Sequence, residues 1–391
     1  MFTPTDHAMM RRAVSLARRG RFTTAPNPNV GCVIAKDNAI IGEGYHYRAG
    51  QPHAEVFALR AAGEQAKGAT AYVTLEPCSH YGRTPPCAEA LIAAGVSRVV
   101  CAMVDPNPQV AGRGVEMLKQ AGIAVETGLL EADAMSLNPG FIKRMKTGLP
   151  YVQLKLAASL DGKTALANGA SQWITGPQAR ADVQRFRAQA GAILSTSATV
   201  LADDPSLNVR WQELGAAVQS DYPEAELRQP VRVIIDSRNR LVPSQRLFSL
   251  PGKVLLARTQ ADEAVWPEQV RQLRVSAQPD GQLDLTALMT ALAAEDIHHI
   301  WVEAGASLAG ALLNAGLVDE LILYQAPKLI GSHGRSLIDL TQFTAMSQVP
   351  EVTLNDVRMV GADIRIRGTI NPPAEQKASV DGIDRCRVRK K

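Results

Sequence analysis

Cysteine, aromatic residues and long hydrophobic runs are all scarce in this chain of 391 residues. Its five cysteines are an odd number dispersed along the sequence, which argues against a disulfide framework and favours reduced thiols. No stretch reaches the roughly eighteen consecutive apolar residues that a membrane helix needs, and the first thirty residues lack the apolar core of a signal peptide. We therefore expect a cytoplasmic protein whose thiols are free to bind metal.

An excess of charge of one sign is also nearly absent. The formal net charge is +4, but residues 372–391 hold six Lys or Arg against three Asp or Glu, so the body of the chain is close to neutral. No basic stripe interleaved with aromatic residues indicates a nucleic-acid partner. Because residues 372–391 also lack periodicity and begin with two prolines, we expect a disordered tail there.

The order of predicted elements indicates two α/β domains. A helix is predicted over residues 5–19, followed by a hairpin and then by alternating strands and helices as far as IAVETG, which is typical of a three-layer α/β domain. A second series begins at YVQLKLA and ends with two strands around residues 351–358 and 363–370. The chain length also favours two or three domains. We place the boundary between residues 144 and 151.

Four residues of the first domain form a pattern that predicts a metal site. They are His53 and Glu55 in the run HAEV, and Cys78 and Cys87 in TLEPCSHYGRTPPC. Thiolate and imidazole are ligands that zinc prefers, and three protein ligands with an open fourth position make a catalytic site. The pattern H-x-E followed by P-C is typical of zinc deaminases, in which zinc activates water and the glutamate moves protons without binding the metal.

The spacing of the cysteines departs from the usual deaminase pattern. There the second cysteine comes three positions after the first, whereas eight residues separate Cys78 from Cys87 here. His80 lies between them and offers a possible fourth ligand, so the residues alone leave open a closed, zinc-stabilised scaffold without catalysis. Cys32 and Cys101, which fall within predicted strands, are expected to be small core residues.

The second half contains a weak signal for nucleotide binding. VEAGASLAGALL predicts a strand, a turn and a helix, an arrangement in which backbone amides can bind nucleotide phosphates. Gly305 and Gly310 would permit a close approach. Small residues at such a junction more often serve packing, and no G-x-G-x-x-G is present.

The segment TVLADDPSLNVR carries a second signal. Asp203 and Asp204 are predicted in a loop, as acceptors for ribose or amide groups, with helix capping as the structural alternative. Arg187 and Arg210 offer forked guanidinium groups that suit a substrate phosphate.

Together these motifs resemble a known family. HAEV and TLEPCSHYGRTPPC, with PNPNVGC before them and DPNPQVAGRG after them, resemble the deaminase half of the bifunctional deaminase-reductases of riboflavin biosynthesis, in which the long insertion between the cysteines is normal. QLKLAASLDGKTA, SQWITG, VIIDS and VEAGASLAGALL resemble the reductase half. The resemblance covers residues 5 to about 370. It implies an N-terminal cytidine-deaminase-like α/β/α domain over residues 1–147 and a C-terminal dihydrofolate-reductase-like α/β domain over residues 148–371.

The resemblance implies two consecutive reactions on a small phosphorylated ribosylaminopyrimidine. A zinc ion in each chain would support hydrolytic deamination of 2,5-diamino-6-(5-phosphoribosylamino)pyrimidin-4(3H)-one. NADPH would then reduce the ribosyl group to give 5-amino-6-(5-phosphoribitylamino)uracil. We expect no nucleic-acid or membrane partner, and we expect a homo-oligomer.

The resemblance also implies the residues at each site. Glu55 is the catalytic residue of the deaminase, and the zinc ligands are His53, Cys78 and Cys87. The deaminase substrate would contact Asn27, His46, His80, Arg83 and Thr84. The reductase substrate would contact Ser171, Arg187, Leu207, Arg210 and Glu303. NADPH would contact Ala157, Trp173, Thr199, Asp203, Ser237, Gly305, Ala306, Ser307, Leu308, Ala309, Gly310 and Ala311. Lys155 and Glu303 are the candidate acid–base groups of the reductase.

The alternative hypothesis is a nucleic-acid base deaminase. Its second half would be a binding module, and the basic tail would be an arm that contacts the phosphate backbone. It predicts salt-dependent affinity for RNA or DNA that falls when residues 372–391 are removed.

Overall fold

The computed structural model describes residues 1–81, 85–108 and 110–371. The chain divides into two compact units. Unit 1 comprises residues 1–150 together with the segments 216–228 and 293–298, and unit 2 comprises residues 151–215, 229–292 and those from 299 onward. The range 148–371 predicted for the second domain therefore contains two short segments that belong to unit 1.

The strands, in chain order, are β1 (Gly31–Lys36), β2 (Ala39–Tyr45), β3 (Thr70–Val73), β4 (Arg98–Cys101), β5 (Ala124–Thr127), β6 (Tyr151–Ser159), β7 (Lys163–Ala165), β8 (Ala192–Thr196), β9 (Val231–Ile235), β10 (Val254–Arg258), β11 (Val270–Arg274), β12 (His299–Glu303), β13 (Glu320–Ala326), β14 (Arg335–Ser336), β15 (Glu351–Val360) and β16 (Asp363–Asn371). The α-helices are α1 (Pro4–Ala17), α2 (Ala54–Ala62), α3 (Cys87–Ala93), α4 (Arg113–Gln120), α5 (Glu131–Leu137), α6 (Pro139–Thr147), α7 (Pro177–Gln189), α8 (Ser197–Asp203), α9 (Ala216–Gln219), α10 (Arg246–Ser249), α11 (Leu285–Ala294) and α12 (Ala306–Asn314). Among the described residues, no helix combines the length and apolar character required to cross a membrane.

Unit 1 is a three-layer α/β/α structure. Its five strands have the order β2-β1-β3-β4-β5, in which β1 is antiparallel to both neighbours and β3, β4 and β5 are parallel. Alternate residues of a strand face opposite sides of its sheet. Accordingly, Cys32 and Ile34 pack in one core with α2, α3 and α4, while Val33 and Ala35 pack in another with α1, α5 and α6. The prediction that Cys32 and Cys101 are core residues is confirmed, since both are fully buried.

The segment 216–228 packs within unit 1. The ring of Tyr222 stacks on Phe22 with 5.3 Å between the ring centroids. The hydroxyl of Tyr47 donates a hydrogen bond to Glu226. These contacts place a segment that follows β8 and α8 in the chain beside the loops that follow α1 and β2.

Unit 2 is built on a nine-stranded sheet with the order β11-β10-β9-β8-β12-β6-β13-β16-β15. The strands from β11 to β13 in this order are parallel, and β16 and β15 complete the sheet as an antiparallel pair. The core against α7 contains Phe186 stacked on Trp301, with 4.9 Å between the ring centroids. The predicted α/β class is therefore confirmed for both units.

Several short elements were not predicted, and one prediction was wrong. Asp203 was expected in a loop, but it is the last residue of α8. The helix begins where the Thr196 side chain accepts a hydrogen bond from the backbone N–H of Thr199. Asp204 then ends the helix in the left-handed conformation, with φ of 40°, which aspartate tolerates better than most residues. Helix α8 has only seven residues, and some of them are β-branched and have a low helix propensity. Its hydrophobic periodicity is therefore too weak to identify the helix from the sequence.

Candidate active sites

Three side chains from separate elements converge in unit 1. His53 is the N-cap residue of α2, Cys78 lies in the loop after β3, and Cys87 is the first residue of α3. Nδ1 of His53 lies 3.6 Å from Sγ of Cys78 and 3.4 Å from Sγ of Cys87. Two ligands of a tetrahedral zinc ion are about 3.6 Å apart at the usual Zn–N and Zn–S bond lengths. The three side chains therefore have the spacing and the donor chemistry of a zinc site.

Local hydrogen bonds favour an ionised thiol in this cluster. The backbone N–H of Cys87 donates to Sγ of Cys78 at 3.2 Å. The neighbouring Cys87 thiol, followed by the facing His53 ring, holds the pKa of Cys78 below its ordinary value. The thiolate is the form of cysteine that binds a metal.

His80 was the candidate for a fourth ligand. Among the described residues, the side chains close enough to share one metal ion are His53, Cys78 and Cys87. The His80 side chain is exposed and is not part of this cluster. The geometry therefore favours three protein ligands and an open position, as a catalytic site requires.

Glu55 lies in the first turn of α2, beside the cluster. The residue is only 3% exposed, and its Oε2 atom has no hydrogen-bond partner among the described residues. Burial, the largest effect, raises the pKa of Glu55 to about 7. A carboxyl group with such a pKa can both accept and release a proton near neutral pH.

Two predicted substrate residues of the deaminase, Asn27 and His46, lie together next to the metal cluster. The His46 ring packs edge-on against the His53 ring, with 5.4 Å between the centroids. Nδ1 of His46 lies 3.1 Å from the carbonyl oxygen of Pro52, which can only accept, so we assign the ring proton to Nδ1. Nε2 then accepts a hydrogen bond from Nδ2 of Asn27 at 3.2 Å. Burial lowers the pKa of His46, which favours this neutral form.

Two further predicted residues, Arg83 and Thr84, lie outside the described residues. The structure adds Glu76, which sequence reasoning missed. Its carboxylate accepts four backbone N–H bonds from residues 105–115. The indication that the sequence offered for Glu76 was its position between a buried strand and the Pro-Cys pair.

The predicted residues of unit 2 gather where parallel strands end. Ala157 lies in β6 and Glu303 ends β12, while Ser237 follows β9 and Thr199 lies in α8, directly after β8. The predicted segment from Gly305 to Ala311 forms the turn after β12 and the start of α12. In open α/β sheets, ligands bind in the crevice outside the carboxyl ends of the strands.

A buried ion pair lies at the centre of this region. Nε and Nη2 of Arg187 donate to the two carboxylate oxygens of Glu303 at 2.6 and 2.8 Å. Trp301 donates to the same carboxylate through Nε1 at 2.7 Å. Burial alone would raise the pKa of Glu303, but Arg187 and then Lys155 lower it to about 2. Glu303 is therefore a carboxylate throughout the physiological pH range.

Lys155 is the register partner of Glu303 on the neighbouring strand β6. Burial lowers the pKa of Lys155 below its ordinary value, which makes the ammonium a better proton donor than a surface lysine.

The two arginines predicted to bind phosphate differ in their surroundings. Besides contacting Glu303, Arg187 donates through Nη1 to the carbonyl oxygen of Asn208 at 2.9 Å. Arg210 lies at the surface and pairs with Glu213 through contacts of 2.5 and 2.8 Å. Arg187 is thus committed to internal partners, whereas Arg210 is accessible to a ligand.

The remaining predicted residues vary in exposure. Trp173 is 63% exposed, and the guanidinium of Arg180 lies 4.5 Å from its ring centroid. Asp203 is exposed, Ser171 is partly buried and Leu207 is buried. A side chain added at Gly305 would meet nothing within 4 Å, which leaves room for a ligand.

The fold and the two sites define a class of protein: a zinc-dependent deaminase fused to an α/β reductase. Family comparisons agree with both halves. Residues 3–103 match the cytidine and deoxycytidylate deaminase zinc-binding region, and residues 150–366 match the RibD C-terminal domain. The chain belongs to the RibD family of riboflavin biosynthesis proteins.

Individual relatives match along almost the whole chain. The riboflavin biosynthesis protein RibD of Escherichia coli K12 is 62% identical over 92% of this chain and 98% of that protein. RibD of Acinetobacter baumannii has a TM-score of 0.84 with 48% identity, over 94% of this chain and 99% of that one. A Thermotoga maritima structure, a diaminohydroxyphosphoribosylaminopyrimidine deaminase/5-amino-6-(5-phosphoribosylamino)uracil reductase, has a TM-score of 0.81 with 32% identity and the same coverage.

These matches confirm the predicted family, the two enzyme activities, and zinc and NADPH as cofactors. They do not favour a nucleic-acid base deaminase, because the half assigned to a binding module matches a reductase domain.

Proposed function

We propose that this chain deaminates 2,5-diamino-6-(5-phosphoribosylamino)pyrimidin-4(3H)-one and then reduces the ribosyl group with NADPH. The product would be 5-amino-6-(5-phosphoribitylamino)uracil. The observation that supports the first step is the buried carboxylate of Glu55, whose Oε2 has no hydrogen-bond partner among the described residues, beside three convergent side chains that could hold a metal ion. The Thermotoga maritima relative, which covers 94% of this chain, is named for the same pair of activities.

In the deaminase we propose that His53, Cys78 and Cys87 hold the metal through Nδ1 and two Sγ atoms. Zinc held there would lower the pKa of a water molecule to about 7, which would make that water a nucleophile for the carbon that carries the amino group. Glu55 takes a proton from the attacking water and delivers it to the departing ammonia. Burial raises the pKa of Glu55 in the metal-free protein, which helps the carboxylate to accept a proton.

Asn27 and His46 orient the pyrimidine in this proposal. Since Nε2 of His46 engages the Asn27 amide nitrogen, the amide oxygen is directed away from the ring. That oxygen can accept a hydrogen bond from an amino or ring N–H of the substrate. We assign His80, Arg83 and Thr84 to the substrate's phosphoribosyl side on the family resemblance of the loop between the cysteines.

In the reductase we propose that Arg187 binds the substrate and also holds Glu303 in place. Glu303 accepts hydrogen bonds from ribosyl hydroxyls. Arg210 is the phosphate-binding residue, since its guanidinium is accessible. Bound NADPH supplies the hydride. Lys155 delivers the proton to the opening sugar, because burial weakens its hold on that proton. Ser171 and Leu207 complete the substrate contacts.

We propose that NADPH lies along the carboxyl ends of the parallel strands. Ala157, Trp173, Thr199, Asp203 and Ser237 would contact its nicotinamide and ribose groups. The backbone from Gly305 to Ala311 would receive the pyrophosphate, because the first N–H groups of a helix have no partner within it and the N-cap residue Gly305 offers no side-chain hydrogen bond to those of α12.

We also keep the domain boundaries 1–147 and 148–371, a homo-oligomer and a cytoplasmic location as proposals. The four described cysteines are unpaired, which suits a reducing compartment.

The edge strand β15 exposes Leu354, Val357 and Met359, and an exposed apolar edge favours association. Leu354→Lys should lower the mass measured by light scattering if a second copy covers this edge, while an unchanged mass would remove the edge from consideration.

A single preparation tests the proposed function. Metal analysis should find zinc, the diaminopyrimidinone phosphate should release ammonia, and NADPH should be oxidised with the deaminated product, whether that product is added or formed by the first step. Zinc-loaded protein that releases no ammonia would contradict the deaminase assignment. A low-salt gel shift with single-stranded DNA and RNA addresses the rival hypothesis, which requires binding.

A further inference from the structure

Glu76 lies at the point where the loop carrying Cys78 meets helix α4. We propose that Glu76 is a positioning residue of the deaminase: its carboxylate holds the first turn of α4 and the loop before it against the Pro77–Cys78 peptide, and so fixes the Cys78 ligand. The inference rests on the proposed function, since it takes Cys78 as a zinc ligand.

The Glu76 carboxylate is buried, at 4% residue exposure, and is surrounded by backbone donors. Oε1 accepts from the N–H groups of Gly114 and Val115 at 2.8 and 3.1 Å. Oε2 accepts from those of Asp105 and Gly112 at 3.0 and 2.9 Å. All four donors lie 29 to 39 residues farther along the chain. Hydrogen bonds to an ionised acceptor are about twice as strong as neutral ones.

This carboxylate serves as the missing cap of α4. The N-cap residue Gly112 has a φ of 80° and no side chain to cap the helix. The first N–H groups of a helix have no partner within the helix and prefer an acidic group nearby. Glu76 supplies that acidic group from a distant part of the chain. Its hydrogen bonds therefore hold the start of α4 against the peptide that precedes Cys78.

The first turn of α4 also packs directly against the residue that precedes Cys78. A Cβ atom placed on Gly114 would lie 2.0 Å from the carbonyl oxygen of Pro77, so the first turn of α4 rests on the residue before the ligand. Asp105, whose N–H binds Glu76, has a carboxylate within electrostatic range of His80 and Cys78. One side chain thus holds both the peptide that carries the ligand and the loop beside it.

Glu76→Gln tests this role because it keeps the size of the side chain and removes half of its acceptors. The amide keeps one oxygen, which can accept from two of the four backbone N–H groups. Its NH₂ group would face the other two N–H groups and cannot accept a hydrogen bond from them. Residues that orient metal ligands typically change metal affinity by about 10- to 100-fold when they are replaced. We therefore expect zinc to leave Glu76→Gln for a chelator about 10- to 100-fold faster, with a deaminase kcat reduced at least tenfold.

The matched control is Glu116→Gln, which replaces an exposed glutamate on the same helix. The thiolate-to-metal absorption of the cobalt-substituted enzyme should change in Glu76→Gln and not in Glu116→Gln. NADPH oxidation with deaminated substrate should be unchanged in both. Gly114→Ala provides a second variant, because its Cβ would lie 2.0 Å from the carbonyl oxygen of Pro77 and 3.2 Å from Oε1 of Glu76. It disturbs both the Pro77 contact and the carboxylate, and it should also speed zinc release.

Two outcomes would overturn the inference. Zinc release and cobalt absorption equal to those of the control, with only a lower melting temperature, would make Glu76 a helix cap and nothing more. Parallel loss of the reductase step would show that the substitution acts through general misfolding. If the unmodified protein retained no zinc, the proposed function itself would fail, which the same metal measurement distinguishes.

Discussion

Replacing Glu55 by glutamine should remove proton transfer from the deaminase while preserving its fold and its metal site. The amide keeps the shape of the side chain, but it can neither accept nor release a proton near neutral pH. Because Glu55 lies outside the three-residue ligand cluster, we expect the variant to retain zinc. Because the reductase residues lie in unit 2, we expect NADPH oxidation with the deaminated substrate to continue at the unmodified rate.

The loss of ammonia release should be large. Proton transfer by a positioned side chain contributes about 10²- to 10⁴-fold to a rate, and Glu55 is assigned two transfers within one turnover. We therefore expect kcat to fall about 10⁴-fold, equivalent to about 5 kcal/mol at 1.36 kcal/mol per tenfold change.

The same substitution should stabilise the metal-free protein in a pH-dependent way. The pKa of Glu55 is raised from 4.5 to about 7 on folding, so the folded state binds the proton more tightly and loses relative stability as pH rises through this range. The cost of ionising the buried carboxyl is complete above pH 7 and corresponds to about 3 kcal/mol. Glu55→Gln removes this cost of ionisation. The gain in unfolding free energy that the substitution produces should therefore be about 2 to 3 kcal/mol larger at pH 8 than at pH 5.

Two measurements check this reasoning. Ammonia release by the zinc-loaded variant gives the kinetic loss, and urea unfolding of both metal-free proteins at pH 5 and pH 8 gives the stability difference. A variant that retains zinc and deaminates within tenfold of the unmodified rate would refute the assigned role. An advantage in stability that is independent of pH would refute the raised pKa.

Three other changes give distinct expectations. Cys87→Ser should lower zinc content and ammonia release together while sparing NADPH oxidation, and zinc retention at the original affinity would contradict its assignment as a ligand. Glu303→Gln should lower reductase kcat and cost roughly 3 kcal/mol in urea unfolding, because it leaves the buried guanidinium of Arg187 without its counter-charge; unchanged stability would show that the pair is not needed for folding. Gly310→Ala should cost about 1 to 3 kcal/mol of unfolding free energy, since the added Cβ would lie 1.8 Å from a main-chain carbonyl oxygen. Gly305→Ala, which meets nothing within 4 Å, is its control and should instead raise the KM for NADPH.

Sequence reasoning succeeded where a short motif specifies both local structure and chemistry. HAEV places His53 at the start of a helix and Glu55 in its first turn, and a strand followed by Pro-Cys places Cys78 in the next loop. Strand and helix positions followed from hydrophobic periodicity, which depends on nearby residues alone.

It could not show contacts between residues that lie far apart in the chain. The structure pairs Arg187, a predicted substrate residue, with Glu303, 116 residues farther along. A Cβ added at Gly310 would meet the carbonyl oxygen of Asp339, which local sequence does not indicate. Asp203 was wrongly placed in a loop because the capping bond at Thr196 outweighs a weak helical propensity.

The sequence by itself predicted the two α/β domains, a His-Cys-Cys donor set and Glu55 as the candidate for proton transfer, because side-chain type and local spacing can be read directly from it. Only the tertiary structure decided that His80 stays outside the metal cluster and that residues 216–228 belong with unit 1. It also decided that four backbone N–H groups converge on Glu76. Backbone donors are the same at nearly every residue, so their convergence leaves no trace in the sequence until the chain has folded.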